Sequence, residues 1–493
     1  MSDALVVGGG SSGCALAGRL VEAGLTVTLV EAGPDYGALA DGRWPTDLAD
    51  ARLIPQSHDW GYISEIEDDR DEPIALMRAR VMGGCSAHNG CVAAVGHPSD
   101  YDDWNLPGWS SGDVRPLFAA VLERMRVRVY SDDEAGPYHR ACLDGAASLG
   151  WPRADDLHDL DGGVGFGLEA VNVFGDVRFN AAFAYLDPVR SSGRLTIVDH
   201  AEVDRVERVG RGWRVVGRRG SLPLLLTADR VVLSAGVYGS PAILQRSGIG
   251  DPALLTAVGV RPTHRLPGVG ANLHDHPSVE VDFTVTARLS AYQQAALATG
   301  FLPDEQTLGK FESSRANGIY DLHLYPVCAS NQVGIFAGRA LIVASAVKPR
   351  SRGRLQITGS DPSADPIIDH GYLSDPEGHD LAVLMDGVEL AYELAASSPL
   401  TSLIGAPITP YRDPEVVRRH HVHYYHPVGT CRMGALDDPG SVCDADGQVI
   451  GLDGLYVADC SSIPFIPRAN TNMPGVMIGE RIARSLVASG AAS

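Results

Sequence analysis

Residues 4–31, ALVVGGGSSGCALAGRLVEAGLTVTLVE, decide the fold of this 493-residue chain. The segment starts with four apolar, β-prone residues, as in a buried parallel strand, and continues with three glycines in the spacing GxGxxG. Apolar residues at helical spacing follow, Gly24 ends the predicted helix, and LTVTLVE forms a second predicted strand that ends at Glu31. This order of strand, turn, helix, strand and acid predicts a Rossmann-like α/β domain that binds a dinucleotide.

Each part of this motif has a physical role in holding a pyrophosphate. Gly8 permits the tight turn, Gly10 lets the pyrophosphate approach the backbone, and Gly13 lets the helix pack closely on the strand. The helix N-terminus offers unpaired N–H groups and a positive dipole to the anion. We expect Glu31 to accept hydrogen bonds from ribose hydroxyls, and both NAD and FAD satisfy the motif. The expected nucleotide contacts in this segment are Gly8, Gly10, Ser11, Ser12, Gly13, Glu31 and Ala32.

Composition limits the class of function. Hydrophobic residues make up 45% and charged residues 20%, as in an ordinary globular protein. The formal net charge of −21 repels phosphate backbones and anionic lipid, so we expect neither a nucleic-acid nor a membrane partner. The eight cysteines form no CxxC pair, and the N-terminus lacks a basic, leader-like region. These features predict a reduced, cytoplasmic protein.

Four later stretches narrow the choice of dinucleotide. They are MRARVMGGCSAHNGCVAAVGHPSDYDDW at 77–104, VVLSAGVYGSPAILQRSGIG at 231–250, HPVGTCRMG at 426–434 and LYVADCSSIPFIPRANTNMPGVMIGERIA at 455–483. Together with the N-terminal motif they resemble the glucose–methanol–choline (GMC) family of flavin oxidoreductases. The resemblance implies FAD as the cofactor and a second, α+β substrate domain built on a mostly antiparallel sheet.

The resemblance also implies a discontinuous domain organisation. We expect the FAD-binding domain to comprise residues 1–125, 185–280 and 425–493. The substrate-binding domain would comprise residues 126–184 and 281–424, where alternating segments such as YDLHLYPV predict antiparallel strands.

An acid–base pair that oxidises an alcohol follows from the same resemblance. The reaction needs a base for the hydroxyl proton and an acceptor for the hydride, which is flavin N5. His426 in HPVGT matches the family's base, and histidine has a pKa near neutrality. Its partner is Asn470, whose amide donates to a developing alkoxide without titrating. We expect oxidation of a small, polar, primary alcohol to the aldehyde, with O2 or another acceptor taking the electrons.

The segment GGCSAHN at 83–89 resembles the flavin-attachment motif GGCSxHN of choline-oxidase-like members. The resemblance implies a covalent bond between His88 and the flavin 8α-methyl group. The alternative is a histidine that only hydrogen-bonds beside the flavin. Two differences argue against choline itself. Gly90 stands where those enzymes have serine, and the segment 307–318, in which their carboxylate for the trimethylammonium group is sought, offers Lys310 in place of an obvious anion site.

Further contacts to FAD are implied elsewhere in the chain. Val203 would pair through its backbone with adenine, and Asp459 would approach the ribityl and pyrophosphate region. The helix after the N-x-N loop, with Pro474 near its first turn, would direct its positive end at the flavin pyrimidine. Ser240 and Pro241 predict the N-cap and first position of another helix. The other residues expected at the flavin are Val81, Gly83, Gly84, His88, Asn89, Gly90, Val92, Thr471 and Asn472.

The tract RRHHVHYYHP holds His420, His421, His423 and His426 close together. Neighbouring residues of one strand rarely provide the geometry of a zinc or iron site, and no carboxylate or cysteine stands at ligand spacing. We therefore expect no metal.

Two other functions stay open on this fold: a hydroxynitrile lyase with FAD as a spectator, and a non-catalytic flavoprotein.

Overall fold

The computed structural model describes residues 2–66, 70, 72–298, 303–328 and 338–491. Its helices and strands are arranged around two main sheets, each with its own apolar core. Within these ranges, no helix has the length and apolar character needed to cross a membrane.

The helices and strands follow one another along the chain with these bounds. The α-helices are Ser11–Glu22 (α1), Thr46–Ala49 (α2), Pro98–Asp102 (α3), Ser111–Arg124 (α4), Pro137–Ser148 (α5), Gly236–Arg246 (α6), Pro252–Ala257 (α7), Ala287–Leu297 (α8), His379–Ala395 (α9), Ser398–Thr401 (α10), Pro414–His420 (α11) and Asn472–Ala491 (α12). The strands are Ala4–Val7 (β1), Val27–Val30 (β2), Tyr62–Ile63 (β3), Ala75–Leu76 (β4), Arg128–Val129 (β5), Gly165–Leu168 (β6), Ala170–Val171 (β7), Val173–Phe174 (β8), Val177–Arg178 (β9), Leu195–Val198 (β10), Ala201–Val209 (β11), Gly212–Arg219 (β12), Leu222–Ala228 (β13), Val231–Leu233 (β14), Ile249–Gly250 (β15), His264–Arg265 (β16), Pro277–Val285 (β17), Thr307–Phe311 (β18), Leu322–Cys328 (β19), Arg339–Ala346 (β20), Arg354–Gln356 (β21), Ile367–Asp369 (β22), Ile404–Pro407 (β23), Val422–His423 (β24) and Leu455–Val457 (β25).

The first main sheet has five parallel strands in the order β10–β2–β1–β14–β25. Its central strand, β1, is buried along its whole length, which explains its uninterrupted apolar sequence. Helix α1 packs against α12, so the first and the last motifs of the chain meet beside this sheet. Ligands of open α/β sheets bind at the carboxyl ends of such strands.

The second main sheet has the strand order β23–β17–β20–β19–β18–β6, with β24 also paired to β17. All of its pairs are antiparallel. One face, which carries Phe311, Leu322 and Ala344, packs against helices α5 and α9. Since side chains alternate along a strand, Lys310 and His323 lie on the opposite face. A parallel Rossmann-like sheet combined with a mostly antiparallel sheet confirms the predicted fold class.

The N-terminal motif folds as the sequence predicts. Strand β1 covers residues 4–7, α1 ends at Glu22, and Gly24 follows with a φ of +93°. At the other end of the chain, α12 starts at Asn472 and has Pro474 in its first turn, as predicted.

The helix start predicted at Ser240 and Pro241 is wrong, because α6 begins at Gly236. The Asp459 carboxylate accepts hydrogen bonds from the Gly236 N–H group at 2.9 Å and from the Ser240 hydroxyl at 2.6 Å. The start of α6 is therefore stabilised by a side chain that is distant in sequence. Capping rules that consider only neighbouring residues cannot predict such a contact.

Pro241 instead lies inside α6. It has no N–H group for the carbonyl of Val237, four residues earlier. The Thr430 hydroxyl donates to that carbonyl at 2.6 Å and replaces the missing bond. A long-range contact thus makes an internal proline compatible with the helix.

The division into FAD-binding and substrate-binding domains stays a prediction. The expected boundary after residue 280 falls inside β17, which runs Pro277–Val285.

Candidate active site

The glycine turn after β1 has the geometry that a dinucleotide motif requires. Gly8 has a φ of +102°, and a Cβ there would collide with the carbonyl group of Ser234. A Cβ on Gly13 would collide with the carbonyl group of Gly8, so α1 could not lie this close to the turn. No described side chain caps α1, whose first residues are Ser11 and Ser12. The N–H groups of its first turn can therefore bind an anion.

Glu31 joins two turns at the end of β2. Its carboxylate accepts hydrogen bonds from the N–H groups of Gly9 and Gly33, both at 2.8 Å, and burial raises its pKa. A cleft of about 510 Å³ opens beside Ala32. The cleft has a polar lining that includes His58, Asp59, Arg80, His200, Glu202 and Arg218. Val203 follows Glu202 on β11, so the cleft fits the ribose and adenine half of FAD.

The segment 81–92 packs directly on the glycine turn. A Cβ on Gly84 would lie 2.6 Å from the Cα atom of Gly10, and the Gly83 N–H group donates to the Gly9 carbonyl at 2.7 Å. The same segment contains the other expected flavin contacts Val81, His88, Asn89, Gly90 and Val92. The structure therefore brings the expected flavin segment against the expected pyrophosphate turn.

His88 lies half-buried after a short 3₁₀ helix, Gly84–Ala87. Its Nε2 is 2.8 Å from the carbonyl oxygen of Ser57, which can only accept, so Nε2 carries the ring proton. Burial lowers the pKa of the imidazole, which is therefore neutral near pH 7 with an unprotonated Nδ1. Bond formation to a flavin methyl group needs such a neutral ring. Covalent attachment at His88 stays a prediction.

The start of α12 meets the start of α1. The Ser11 hydroxyl donates to Asn472 Oδ1 at 2.9 Å, and the Ser12 hydroxyl donates to the Gly475 carbonyl at 2.7 Å. Thr471 directly precedes the helix and is buried. Asn472 Nδ2 is also buried and has no hydrogen-bond partner among the described residues. Two helix N-termini and this amide converge in a way that fits a bound diphosphate and flavin.

Asp459 is buried at the end of β25 and forms hydrogen bonds within the protein. Besides its contacts with Gly236 and Ser240, it accepts from the Ser461 N–H group at 2.7 Å. Burial raises its pKa, and these hydrogen bonds oppose the rise. Asp459 therefore fixes α6 relative to the parallel sheet, and its contact with FAD stays a prediction.

His426, the expected base, is buried and paired with a second histidine. Its Nδ1 lies 3.1 Å from Nδ1 of His276, and its backbone N–H group donates to Asp275 at 2.9 Å. The Tyr424 ring meets the His426 ring edge-on, with centroids 4.5 Å apart. Burial, and after it the neighbouring His276, hold the pKa of His426 well below its usual range. The imidazole is therefore neutral near pH 7 and can accept a proton.

Asp275 organises the backbone of this histidine pair. One carboxylate oxygen accepts from the N–H groups of both His276, at 2.7 Å, and His426, at 2.9 Å. The other accepts from the Tyr372 hydroxyl at 3.1 Å. Burial raises the pKa of Asp275 to about 6.

Asn470, the expected donor, lies near the hydroxyl group of Tyr424, the tyrosine that packs on His426, and that hydroxyl has no hydrogen-bond partner among the described residues. Burial raises the pKa of the Tyr424 hydroxyl, and the adjacent Asn470 amide opposes that rise. The Oδ1 atom of Asn470 is buried and, within the described chain, has no hydrogen-bond partner. The structure thus places the two expected catalytic residues near the same tyrosine, His426 at its ring and Asn470 near its hydroxyl group.

A buried ionic cluster anchors the loop that carries Asn470. Asp100 accepts a hydrogen bond from the Arg468 backbone N–H group at 2.8 Å and pairs with the Arg468 guanidinium. The Lys348 ammonium group lies 3.0 Å from the same carboxylate. Burial alone would raise the pKa of Asp100, but Lys348 and Arg468 lower it below its usual range. Asp100 therefore stays ionised and holds the loop.

Sequence reasoning missed Asp275, His276 and Tyr424. The run HDHP at 274–277, with three ionisable residues directly before the buried strand β17, is the signal that the sequence offers for the first two. Tyr424 lies only two residues before His426 and carries no distinctive signal.

The histidine tract does not gather into one cluster. His420 is exposed at the end of α11, while His423 is buried on β24. Within the described ranges, the group with ligand-like geometry is Asp275, His276 and His426, whose polar atoms lie within 4.8 Å of one another. Those atoms already bond to each other and to backbone N–H groups. The absence of a metal stays a prediction.

Comparison with known proteins gives matches along nearly the whole chain. Models of the GMC oxidoreductase family match residues 2–278 and 349–479. Choline oxidase of Arthrobacter globiformis is 31% identical over 523 residues, which cover 98% of this chain and 93% of that protein. Oxygen-dependent choline dehydrogenase of Rhizobium johnstonii is 31% identical over 535 residues, covering 98% and 95%.

The structural comparison agrees with the sequence comparison. The crystal structure of pyridoxine 4-oxidase from Mesorbium loti superposes with a TM-score of 0.86 at 26% identity, covering 98% of this chain and 99% of that one. Two family models, full-length relatives and a full-length superposition lead to one conclusion. The chain belongs to the GMC oxidoreductase family and is an FAD-dependent oxidoreductase that acts on CH–OH donors.

Proposed function

We propose that the chain oxidises a small, polar primary alcohol to the aldehyde, with His426 as the base and Asn470 as its partner. FAD, when bound, supplies the acceptor for the hydride that leaves the carbinol carbon. The proposal is supported best by the buried, neutral His426, which contacts His276 and packs on Tyr424, with Asn470 near the hydroxyl group of that tyrosine.

The contact between His426 and His276 orients the base. Two neutral imidazoles joined through their Nδ1 atoms share one hydrogen. Burial lowers the pKa of His276 to about 3, Asp100 and the carbonyl groups of Pro467 and Val347 oppose this effect, and Nε2 of His276 has no hydrogen-bond partner among the described residues. We propose that Nδ1 of His426 donates and Nδ1 of His276 accepts in this contact. Nε2 of His426 then keeps its lone pair for the hydroxyl proton of the substrate.

Asn470 completes the site as a group that does not titrate. An amide beside the substrate oxygen donates to the charge that develops when His426 removes the proton. The Asp100 cluster fixes the loop, so this amide needs little reorganisation during the reaction. We propose these roles for His426 and Asn470 together.

The relatives support the class of substrate and the electron acceptor. Two of them are named for choline and one for pyridoxine, and these names describe those proteins. Because two are oxidases and one is an oxygen-dependent dehydrogenase, we propose O2 as the second substrate of this chain. The covalent link at His88 is part of the same proposal, supported by the neutral ring of that histidine.

An anaerobic alcohol panel tests the proposed function. The holoenzyme is mixed with primary alcohols without O2 while the absorbance of oxidised flavin is followed, and peroxide is measured after O2 is admitted. Bleaching followed by peroxide supports the proposal. Aldehyde and cyanide released from a cyanohydrin without bleaching would establish a lyase. No response to the whole panel would establish a non-catalytic flavoprotein.

A further inference from the structure

A row of polar residues crosses the second main sheet on the face opposite α9. Lys310 on β18 stands opposite His323 on β19, and His323 stands opposite Ser345 on β20. Ser345 in turn stands opposite Ser278 on β17. Residues in register on adjacent strands share one face of a sheet, so the four side chains form a continuous line.

The Lys310 end of this row is buried with unused donors. Lys310 and His323 are both 0% exposed. Within the described ranges, the Lys310 ammonium and both ring nitrogens of His323 have no hydrogen-bond partner. Ser278 and Ser345 bond to each other at 2.7 Å. An ammonium group buried in this way costs folding free energy, which an anionic ligand would offset.

Aromatic rings connect this row with the expected base. The Lys310 ammonium lies 4.9 Å from the centroid of the Tyr320 ring, which stacks on the His323 ring. The centroids of His323 and Tyr424 are 6.3 Å apart, and those of Tyr424 and His426 are 4.5 Å apart. Tyr320, His323 and Tyr424 therefore form a run of neighbouring rings between Lys310 and His426.

Lysine is rare in this chain. The sequence has lysine only at 310 and 348, and arginine supplies all other basic side chains apart from histidine. Lys348 is paired with Asp100 at 3.0 Å. Lys310 forms no ion pair with any residue that the structure describes. Its buried ammonium group therefore lacks a hydrogen-bonded counter-ion among the described residues, although Asp156, Asp100 and Asp159 lie near enough to raise its pKa against the effect of burial.

We propose that Lys310 and His323 bind a carboxylate on the alcohol substrate, separated from the carbinol by a spacer that packs along Tyr424. The inference rests on the proposed function and specifies its substrate class. The ammonium would donate charge-assisted hydrogen bonds to the carboxylate, and the His323 ring would donate a further one. A trimethylammonium substrate would meet repulsion at this position.

Two acids, the buried Glu169 and the partly buried Glu305, lie near Tyr424. Glu305 lies against Gly90 and accepts from the Tyr325 hydroxyl, and both carboxylate oxygens of Glu169 lack a partner among the described residues. Burial raises the pKa of Glu305 to about 7. Burial, and after it Glu305, raise that of Glu169. The two acids are therefore not permanently ionised. If they did form an anionic site, the enzyme would prefer cationic alcohols.

Three matched alcohols test the inference on the holoenzyme. They are 4-(hydroxymethyl)benzoate, the neutral 4-(hydroxymethyl)benzamide and the cationic 4-(hydroxymethyl)benzyltrimethylammonium. We expect the second-order rate constant for anaerobic flavin reduction to be roughly tenfold or more higher for the carboxylate than for the amide, since one charged hydrogen bond has this value. Equal rates, or a preference for the cation, would overturn the inference while the proposed function stands.

Substitutions at position 310 identify the residue responsible. Lys310→Met should bring the ratio of the carboxylate rate to the amide rate close to one in protein that still contains flavin. Lys310→Arg should restore most of the ratio. A ratio that survives in Lys310→Met with bound flavin would overturn the role of Lys310. If Lys310→Met does not fold, the carboxylate-to-amide rate ratios of the wild type and of Lys310→Arg test the role of Lys310.

Benzoate separates failure of this inference from failure of the proposed function. Benzoate carries no hydroxymethyl group, so its binding, measured as a perturbation of the flavin spectrum, needs no turnover. We expect benzoate to bind more tightly than benzamide and to lose this advantage in Lys310→Met. If benzoate binds in this way but the protein oxidises no alcohol, the result would contradict the proposed function and support the anion site. Alcohol oxidation without any benzoate preference would do the reverse.

Discussion

Nδ1 of His276 lies 3.1 Å from Nδ1 of His426, in a buried pocket where both rings have lowered pKa values. A single hydrogen can occupy the space between the two atoms, so protonation of both rings at once is strongly disfavoured. The pair therefore keeps His426 neutral and oriented. This contact links the fold to the proposed chemistry. His276 directly precedes β17, and His426 lies in the C-terminal motif.

The rate of flavin reduction should decrease only at low pH. His426 acts as a base only at pH values above its pKa, and burial, followed by His276, lowers that pKa. We expect the rate with a neutral alcohol to stay level as pH falls through 6.5 and to decrease only below it. In His276→Asn one of these causes is removed, so the acid limb should move upward. A wild-type limb at or above pH 6.5 in anaerobic stopped-flow measurements would contradict the lowered pKa.

Asn470→Ala should slow flavin reduction and leave cofactor binding unchanged. Loss of one donor to the developing charge reduces the rate constant by roughly 10²-fold. Asn317→Ala, at an exposed position, is the matched control and should react as the wild type does. Single-turnover reduction at saturating alcohol measures the effect. An unchanged rate constant in Asn470→Ala would exclude the proposed role.

Asp275→Asn should change how stability depends on pH. Asp275 has a pKa of about 6 in the folded protein, and its unfolded value lies near 3.8, so the folded state binds this proton more tightly. Between about pH 4 and pH 6 the unfolding free energy of the wild type should therefore fall as pH rises, by up to about 3 kcal/mol. Asparagine keeps an acceptor for the two histidine N–H groups but does not titrate.

The comparison uses melting temperatures of both proteins at pH 4, 5, 6 and 7. Relative to Asp275→Asn, the wild type should be most favoured at pH 4 and should lose that advantage by pH 7. A constant difference across the series, or one that grows with pH, would show that the carboxyl group is not buried as described.

The expected link at His88 has a simple chemical readout. After acid denaturation, the yellow colour should stay with the wild-type pellet, because the ring would be bonded to the flavin 8α-methyl group. His88→Ala should release its flavin into the supernatant under the same conditions. Mass spectrometry of the intact wild-type protein should show the added mass of FAD. Complete release of colour from the wild type would leave His88 with only a hydrogen-bonding role.

The sequence predicts best what depends on neighbours along the chain. The strand at residues 4–7, the helix from Ser11 and the helix from Asn472 each carry a local signal: apolar runs, glycine spacing, or a proline in the first turn. The start of α6 could not be predicted in this way. Its partner, Asp459, lies more than two hundred residues away in sequence.

Several features of the site depend on tertiary contacts that the sequence does not display. The pairing of His276 with His426 joins residues 150 positions apart. The alignment of Lys310 with His323 depends on strand register, and a shift by one residue would place them on opposite faces. Family resemblance supplies His426 and Asn470, whereas only the structure shows that both lie near Tyr424.

Replacement of the base is the most direct test of the proposed chemistry. His426→Ala is compared with the exposed control His420→Ala, with flavin content measured in both and the rate of anaerobic flavin reduction followed by stopped flow. We expect His426→Ala to retain its flavin and to be reduced roughly 10²- to 10⁴-fold more slowly than His420→Ala, because general-base assistance is lost. A flavin-loaded His426→Ala protein that is reduced at nearly the control rate would show that another group removes the proton.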